Sequence, residues 1–386
     1  MAIDNRQSSV FSACRALASL LAVVSLTFFA ACTRKPAPPQ PYLAFVLSRE
    51  SHSVAAVELE GFRVVASILV DAGAERILAR PASRELYVVS DAGRIDVIGF
   101  PALRVVRTIQ IGSEARGLAF TPDGRQAFTL NPMEGEVAFL DCAEGKVAAR
   151  VRLGAPLASL AVTPDGKTLI AASGTENRLF FASISERKLL GALEVGKQPE
   201  SLAILPDSSK VFVADTGEEK ITAADVASRQ ILSHIEIGSR PTTLLLKPDG
   251  GELFVLAPQA STLAIVDAFH DNVSQTLPTG REPVAGVFRR DSSVLYLANA
   301  GDGTVTTLDV QNRQVLASTQ VGKQPRALAL TPDERFLVAA DAGTGSLAVL
   351  VAEPQRVTTL KSALVTTVPV GSEPVDVVVP DWLWKQ

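Results

Sequence analysis

Residues 322–351 read GKQPRALALTPDERFLVAADAGTGSLAVLV. A Gly-x-x-Pro opening leads into a short apolar run at 326–330. A Thr-Pro-Asp turn follows, then a second run at 336–340, a Gly-containing turn, and a third run at 346–351. Runs of five or six residues rich in Leu, Val and Ala, bounded by Pro, Asp and Gly, read as strands joined by tight turns. A helical period of 3.6 fits none of them.

This stretch is one copy of a repeat. Glycines in the same setting stand at Gly112, Gly154, Gly196, Gly238, Gly280 and Gly322, with a constant spacing (154 − 112 = 42). Gly73 precedes the series and Gly371 follows it. The turns recur with it, as Thr121-Pro122-Asp123-Gly124, Thr163-Pro164-Asp165-Gly166 and Lys247-Pro248-Asp249-Gly250. Pro sets φ for such a turn and Gly takes its left-handed position. The third run ends in Asp141, Asp225, Asp267 or Asp309, with Ser183 as the exception. An Asp there holds the next hairpin by accepting backbone N–H groups. Four short strands in every unit make one four-stranded antiparallel blade, and the all-β architecture expected is a β-propeller.

Units opening at Gly73, Gly112, Gly154, Gly196, Gly238, Gly280 and Gly322 make seven blades. Residues 42–70 hold three further strands and residues 374–380 hold one. Together they complete an eighth blade, which closes the ring and removes its open edges. Eight blades are therefore expected. Seven is the alternative, with the end segments packed outside. The longer interval before Gly371 points to an insertion around 355–364.

The Gly-x-x-Pro and Pro-Asp-Gly turns, the run Leu295-Tyr296-Leu297-Ala298-Asn299 and its relative Val211-Phe212-Val213-Ala214-Asp215 resemble the YVTN family of β-propeller repeats. The resemblance covers residues 42–380. Its motifs are turns and core strands, so it implies the fold and no activity. A WD-type propeller is disfavoured because the two tryptophans, Trp382 and Trp384, lie outside the repeats.

The N-terminus carries an address. Arg6 and Arg15 precede ALASLLAVVSLTFFAA (16–31), a run shorter than the roughly 20 residues that span a bilayer. A positive flank, a short apolar core and small residues before a break form an export signal. Phe29-Ala30-Ala31-Cys32 resembles the lipobox of bacterial lipoproteins, which implies cleavage before Cys32 and its acylation. The division expected is 1–31 signal peptide, 32–41 lipidated Cys and Pro-rich tether (TRKPAPPQP from Thr33), and 42–386 one propeller domain. Thr33 after the Cys leans toward the outer membrane, on its periplasmic side. The partner through Cys32 is then the membrane itself.

The 386 residues carry a net charge of −4 with Lys and Arg scattered throughout, which gives no basic face for nucleic acid. With three histidines and three cysteines, ligands for a His/Cys metal site are scarce. Cys142 reads as a small buried apolar residue. Carboxylates at Asp91, Asp215, Glu218, Glu219, Asp302 and Asp341 fall near the turns between second and third strands. They are the groups a hard cation uses, but lack EF-type spacing. No metal or cofactor is expected.

The link between outermost and innermost strands opens on the usual ligand face. Its equivalent positions are Arg116, Ala158, Glu200, Thr242, Val284, Arg326 and Val375. Arg116, Glu200 and Arg326 are the charged ones, and a mixed-charge site for an anionic or polar ligand is the functional reading. The expectation is a monomeric, membrane-tethered periplasmic binding or scaffold module for an envelope protein, peptide or glycan, with no catalytic residue assigned. One alternative resembles the propeller lactonases, which hydrolyse sugar lactones with acid, Arg and His groups, but no His falls at an equivalent position. The other is similar to the haem d1 domains. For that, His52 alone faces the right side, since His234 falls in an outer strand and His270 at a turn on the opposite face.

Overall fold

A computed structural model describes residues 42–154, 156–352 and 363–383. The segment expected to be a signal, Cys32, the expected tether and most of the expected 355–364 insertion lie outside the described residues. The rest forms eight four-stranded antiparallel sheets. We number the blades 1 to 7 from residues 74–110 to residues 325–369, and letter the strands a to d from the innermost outward. Blade 8 takes strands b, c and d from Leu43–Ser48, Ser53–Glu58 and Arg63–Leu69, and its strand a from Pro374–Val378. The two chain ends pair directly, with Val46 opposite Val377 and Phe45 opposite Val378. Ser48 Oγ donates to the Val370 carbonyl at 3.0 Å, and the Ser372 N–H to Ser51 Oγ at 2.6 Å. The expected eight-bladed closure is what the chain adopts.

Position within a blade explains the sequence pattern. Strands b and c are covered on both faces by neighbouring blades, so they read as unbroken apolar runs. Val211, Phe212, Val213 and Ala214 are all fully buried. Strand d forms the rim and alternates, as in Gln230–Glu236. The a strands contact one another in a closed circle around a central channel. The core is divided into eight clusters, one at each junction between blades. Phe212, Leu253 and Val255 fill the junction of blades 4 and 5. Phe45, Leu47, Leu86, Val88 and Trp382 fill that of blades 8 and 1. No blade buries its own faces, so stability belongs to the closed array.

The strand-ending aspartates act as expected. Asp141 Oδ1 accepts the N–H groups of Ala143 and Glu144, each at 2.9 Å. Cys142 is buried in the cluster between blades 1 and 2, and burial raises its thiol pKa.

The expected opening of blade 1 is out of register by two. In blade 7, Pro325 pairs with Asp341 and follows Gln324, whose φ is +55°. In blade 1, Ala74 pairs with Ser90 and follows Gly73, whose φ is +76°. Gly73 therefore matches Gln324, and Asp71 stands where the other units place glycine. Glu75 in turn matches Arg326.

Candidate functional site

Equivalent residues at or next to the start of the a strands ring one mouth of the channel: Glu75, Arg116, Ala158, Glu200, Thr242, Val284, Arg326 and Val375. The next residues stitch the ring together. The Ile77 N–H donates to Asp376 Oδ2 at 3.1 Å, linking blades 8 and 1. Ser159 Oγ donates to the Glu200 carbonyl. The Leu244 N–H donates to Ser201 Oγ at 3.2 Å, and Thr243 Oγ1 to the Val284 carbonyl at 3.2 Å. These hydroxyls are thus engaged with backbone, away from any nucleophile–base pair.

On one side of this mouth lies a cavity of about 500 Å³. Arg49, Arg76, Arg116, Glu75 and Glu200 bring charge to it, and Leu118, Leu160 and Leu202 form an apolar wall. Arg49 comes from the b–c loop of blade 8. The other charges come from the a strands of blades 1, 2 and 4. Gly117 lets that wall close up, because a Cβ there would stand 2.9 Å from Leu160 Cδ2.

The three guanidinium groups are only loosely paired. Arg116 approaches Glu75, Arg76 approaches Asp376, and Arg49 approaches Glu373, each at 3.6 Å. That separation is too long for a hydrogen bond. Their side chains are 55 %, 61 % and 42 % exposed. Most of their N–H donors therefore face the cavity or solvent. Asp376 is the exception to this openness: burial raises its carboxyl pKa, and Arg76 partly opposes the effect.

Of the three expected site residues, Arg116 and Glu200 share this cavity. Arg326 does not line it. Its place in the ring is on blade 7, while the cavity spans blades 8 and 1 to 4. Glu75, Arg76 and Arg49 were not anticipated. Glu75 was hidden by the two-residue slip at Gly73, and Arg76 follows it directly in sequence. Arg49 sits at a loop position that no repeat marks.

Two of the carboxylates expected in loops stand elsewhere. Asp215 and Asp341 end the b strands and are fully buried. Thr222 Oγ1 donates to Asp215 Oδ2 at 2.7 Å, while Asp215 Oδ1 and both Asp341 oxygens have no hydrogen-bond partner among the described residues. Burial pushes each carboxyl up to about 7. Gly196 and Gly322 lie against them, since a Cβ would fall 2.3 Å and 2.6 Å from their carboxyl groups. Among the described residues no three His, Cys, Asp or Glu side chains cluster as metal ligands. None of the histidines lines the cavity. His234 Nδ1 lies 3.0 Å from Thr222 Oγ1, and His270 Nδ1 lies 2.9 Å from Asp267 Oδ2.

No protein-family model and no curated protein matches the chain. Solved structures do match it. The dihydro-haem d1 dehydrogenase NirN, in complex with DHE, superposes with a TM-score of 0.76 over 90 % of this chain and 76 % of its own, at 16 % identity. Kuenenia stuttgartiensis hydrazine synthase gives a TM-score of 0.59 over 72 % and 95 % of the two chains, at 17 % identity. The β-propeller domain of Myceliophteria thermophila Cps50 (Swd1) gives 0.60 over 74 % and 99 %, at 16 % identity. At such identities the likeness is one of architecture: the chain is an eight-bladed β-propeller.

Proposed function

We propose that this protein is an exported, lipid-anchored binding propeller that takes an anionic ligand at the channel mouth. The observation that carries the reading is the set of three loosely paired, exposed arginines around the cavity. Planar guanidinium groups grip carboxylates or phosphates bidentately. The leucine wall suits a ligand with an apolar part beside its anionic group. Binding without turnover fits the hydroxyls' engagement with backbone and the lack of histidine in the lining.

A thermal-shift screen of organic acids tests the ligand reading. At least one acid is expected to stabilise the wild type, with the shift lost in Arg76→Ala/Arg116→Ala. Both side chains are exposed, so that variant keeps the fold. Equal shifts in both proteins would remove the mouth from the account.

The anchor rests on the lipobox-like segment at Cys32. Several acyl chains, at about 0.8 kcal/mol per buried CH₂, hold a protein firmly on a bilayer. Replacing Cys32 with Ser is expected to move the protein from the membrane to the soluble fraction of the envelope. A Cys32→Ser variant that stays in the membrane would rule out lipidation as the anchor.

A second reading is a tetrapyrrole site, favoured by the fold shared with NirN, whose structure holds DHE. The mouth arginines would then face acidic substituents of the macrocycle. A Soret band on adding haem, lost in the same double variant, would favour it over an organic acid.

A further inference from the structure

A second opening lies on the same face, away from the mouth, where loops of blades 3, 4 and 5 meet. It measures about 610 Å³ and is lined by Gly174, Thr175, Asn177, Lys197, Gln198, Gly217 and Arg240. The repeat supplies an internal comparison. Blade 7 carries the same Gly-Lys-Gln-Pro corner at 322–325, and an opening of about 780 Å³ lies between blades 6 and 7. There Lys323 shares the lining with Glu282 and Asp302, and Asp302 is paired with Arg281. The blade 3–5 opening has two cations in its lining and no carboxylate. Among the described residues, neither Lys197 nor Arg240 forms an ion pair.

The nearby acid, Glu218, lies outside the lining, is bonded to Lys220 and also feels the Lys197 charge. Glu218 takes Lys220 Nζ at 2.7 Å and the Lys197 backbone N–H at 2.9 Å. Those bonds hold its carboxyl below the usual range. Glu176 flanks the opening in sequence but is not part of its lining.

The amide at 177 adds a donor. Among its equivalents Gly93, Gly135, Gly303 and Gly345 have φ between +65° and +74°, whereas His52, Glu219 and Ser261 carry side chains. Asn177 holds φ +55° in the same place and so carries a side chain where four blades carry none. Asn tolerates this backbone best among residues with a side chain. Its Oδ1 accepts the Gln198 N–H at 3.0 Å, which leaves the NH₂ as a donor. Below, Gly217 makes room, since a Cβ there would stand 3.0 Å from the Lys197 stem.

We propose that this opening is a separate binding site for an acidic saccharide. Lys197 and Arg240 take the carboxylate, and Asn177, Gln198 and Thr175 take the hydroxyls. The site stands independently of the reading given to the mouth.

The test is calorimetric titration of the full-length protein in mild detergent with uronic-acid tetrasaccharides, galacturonate and mannuronate. Maltotetraose and inorganic phosphate serve as separate arms. Binding of a uronate is expected, with affinity falling about tenfold or more in Lys197→Ala/Arg240→Ala, as loss of two charge-assisted contacts implies. A several-fold loss is expected in Asn177→Gly, which restores the residue of blade 6 and keeps the fold. Affinity should be unchanged in Arg76→Ala/Arg116→Ala. Absence of uronate binding, or equal affinity in the Lys197/Arg240 variant, would overturn the proposal. Equally tight maltotetraose binding would overturn the carboxylate's role, and equally tight phosphate binding the saccharide's. Loss confined to the Arg76/Arg116 variant would overturn this site while supporting the mouth.

Discussion

Removal of residues 374–386 is expected to lower the unfolding midpoint by on the order of 10 °C or more and to promote aggregation. Those residues include the a strand of blade 8, paired with Leu43–Ser48. They also include Val377 and Trp382, each under a tenth exposed, and the Asp376 carboxyl that accepts the Ile77 N–H. Burying one large apolar side chain contributes about 1.5–3 kcal/mol. Each net hydrogen bond adds about 1 kcal/mol. The strand and its flank therefore account for several kcal/mol, a large share of the ~5–15 kcal/mol that holds a typical domain together. The cut also leaves the backbone of Leu43–Ser48 unpaired along one edge, next to the channel. A melting curve of the truncated chain, with and without a peptide of residues 370–386, checks this. The peptide should restore part of the loss. A truncated chain that melts with the full-length protein would mean that closure contributes little.

The second large effect concerns pH. Asp215 and Asp341 titrate near 7 in the native protein because burial disfavours their charged forms. In the unfolded chain they return to ordinary carboxylate values near 4. The native state thus holds protons that the unfolded state releases. The stability they confer is complete below about pH 4 and is lost as pH rises through about 7. At pH 8 the charged forms cost on the order of 2–4 kcal/mol per site. Asp341→Asn is expected to raise the unfolding midpoint at pH 8 and to leave it nearly unchanged at pH 4. Asparagine is native to this position in blade 6. There Asn299 Nδ2 donates to Thr304 Oγ1 at 3.1 Å and to Thr306 Oγ1 at 2.8 Å. In blade 7, Ser346 stands at the first of these places and Ala348 at the second. Asp215→Asn should act in the same direction but less strongly, because Thr222 already donates to that carboxylate. Midpoints independent of pH between 5 and 8 in the wild type, or a less stable Asp341→Asn variant at pH 8, would contradict the assignment.

The architecture was legible because it depends on features that repeat. A blade cannot bury its own faces, so each copy must present the same apolar b and c strands and the same turns. Asp141, Asp225, Asp267 and Asp309 were readable as turn anchors for that reason. The site was less legible because it depends on where the copies differ. Spacing assigns Arg116, Glu200 and Arg326 to one ring. It does not say which positions around that ring share a cavity, and Arg326 falls outside it. Glu75 was missed because Gly73 and the repeated glycines look alike in sequence. Gly73 is present for its left-handed backbone, at a place where Gln324 stands in blade 7. Asp215 and Asp341 were misread because a strand end and a turn start are adjacent in sequence. Only the neighbouring blade decides that such a carboxyl is sealed from water.

The claim on which the functional reading stands is that the channel mouth holds an anionic ligand through Arg76 and Arg116. Native mass spectrometry of the protein, extracted from its own envelope in mild detergent, tests it most directly. The wild type should carry a non-covalent anionic adduct that Arg76→Ala/Arg116→Ala lacks. The same adduct on both proteins, or on neither, would contradict the account.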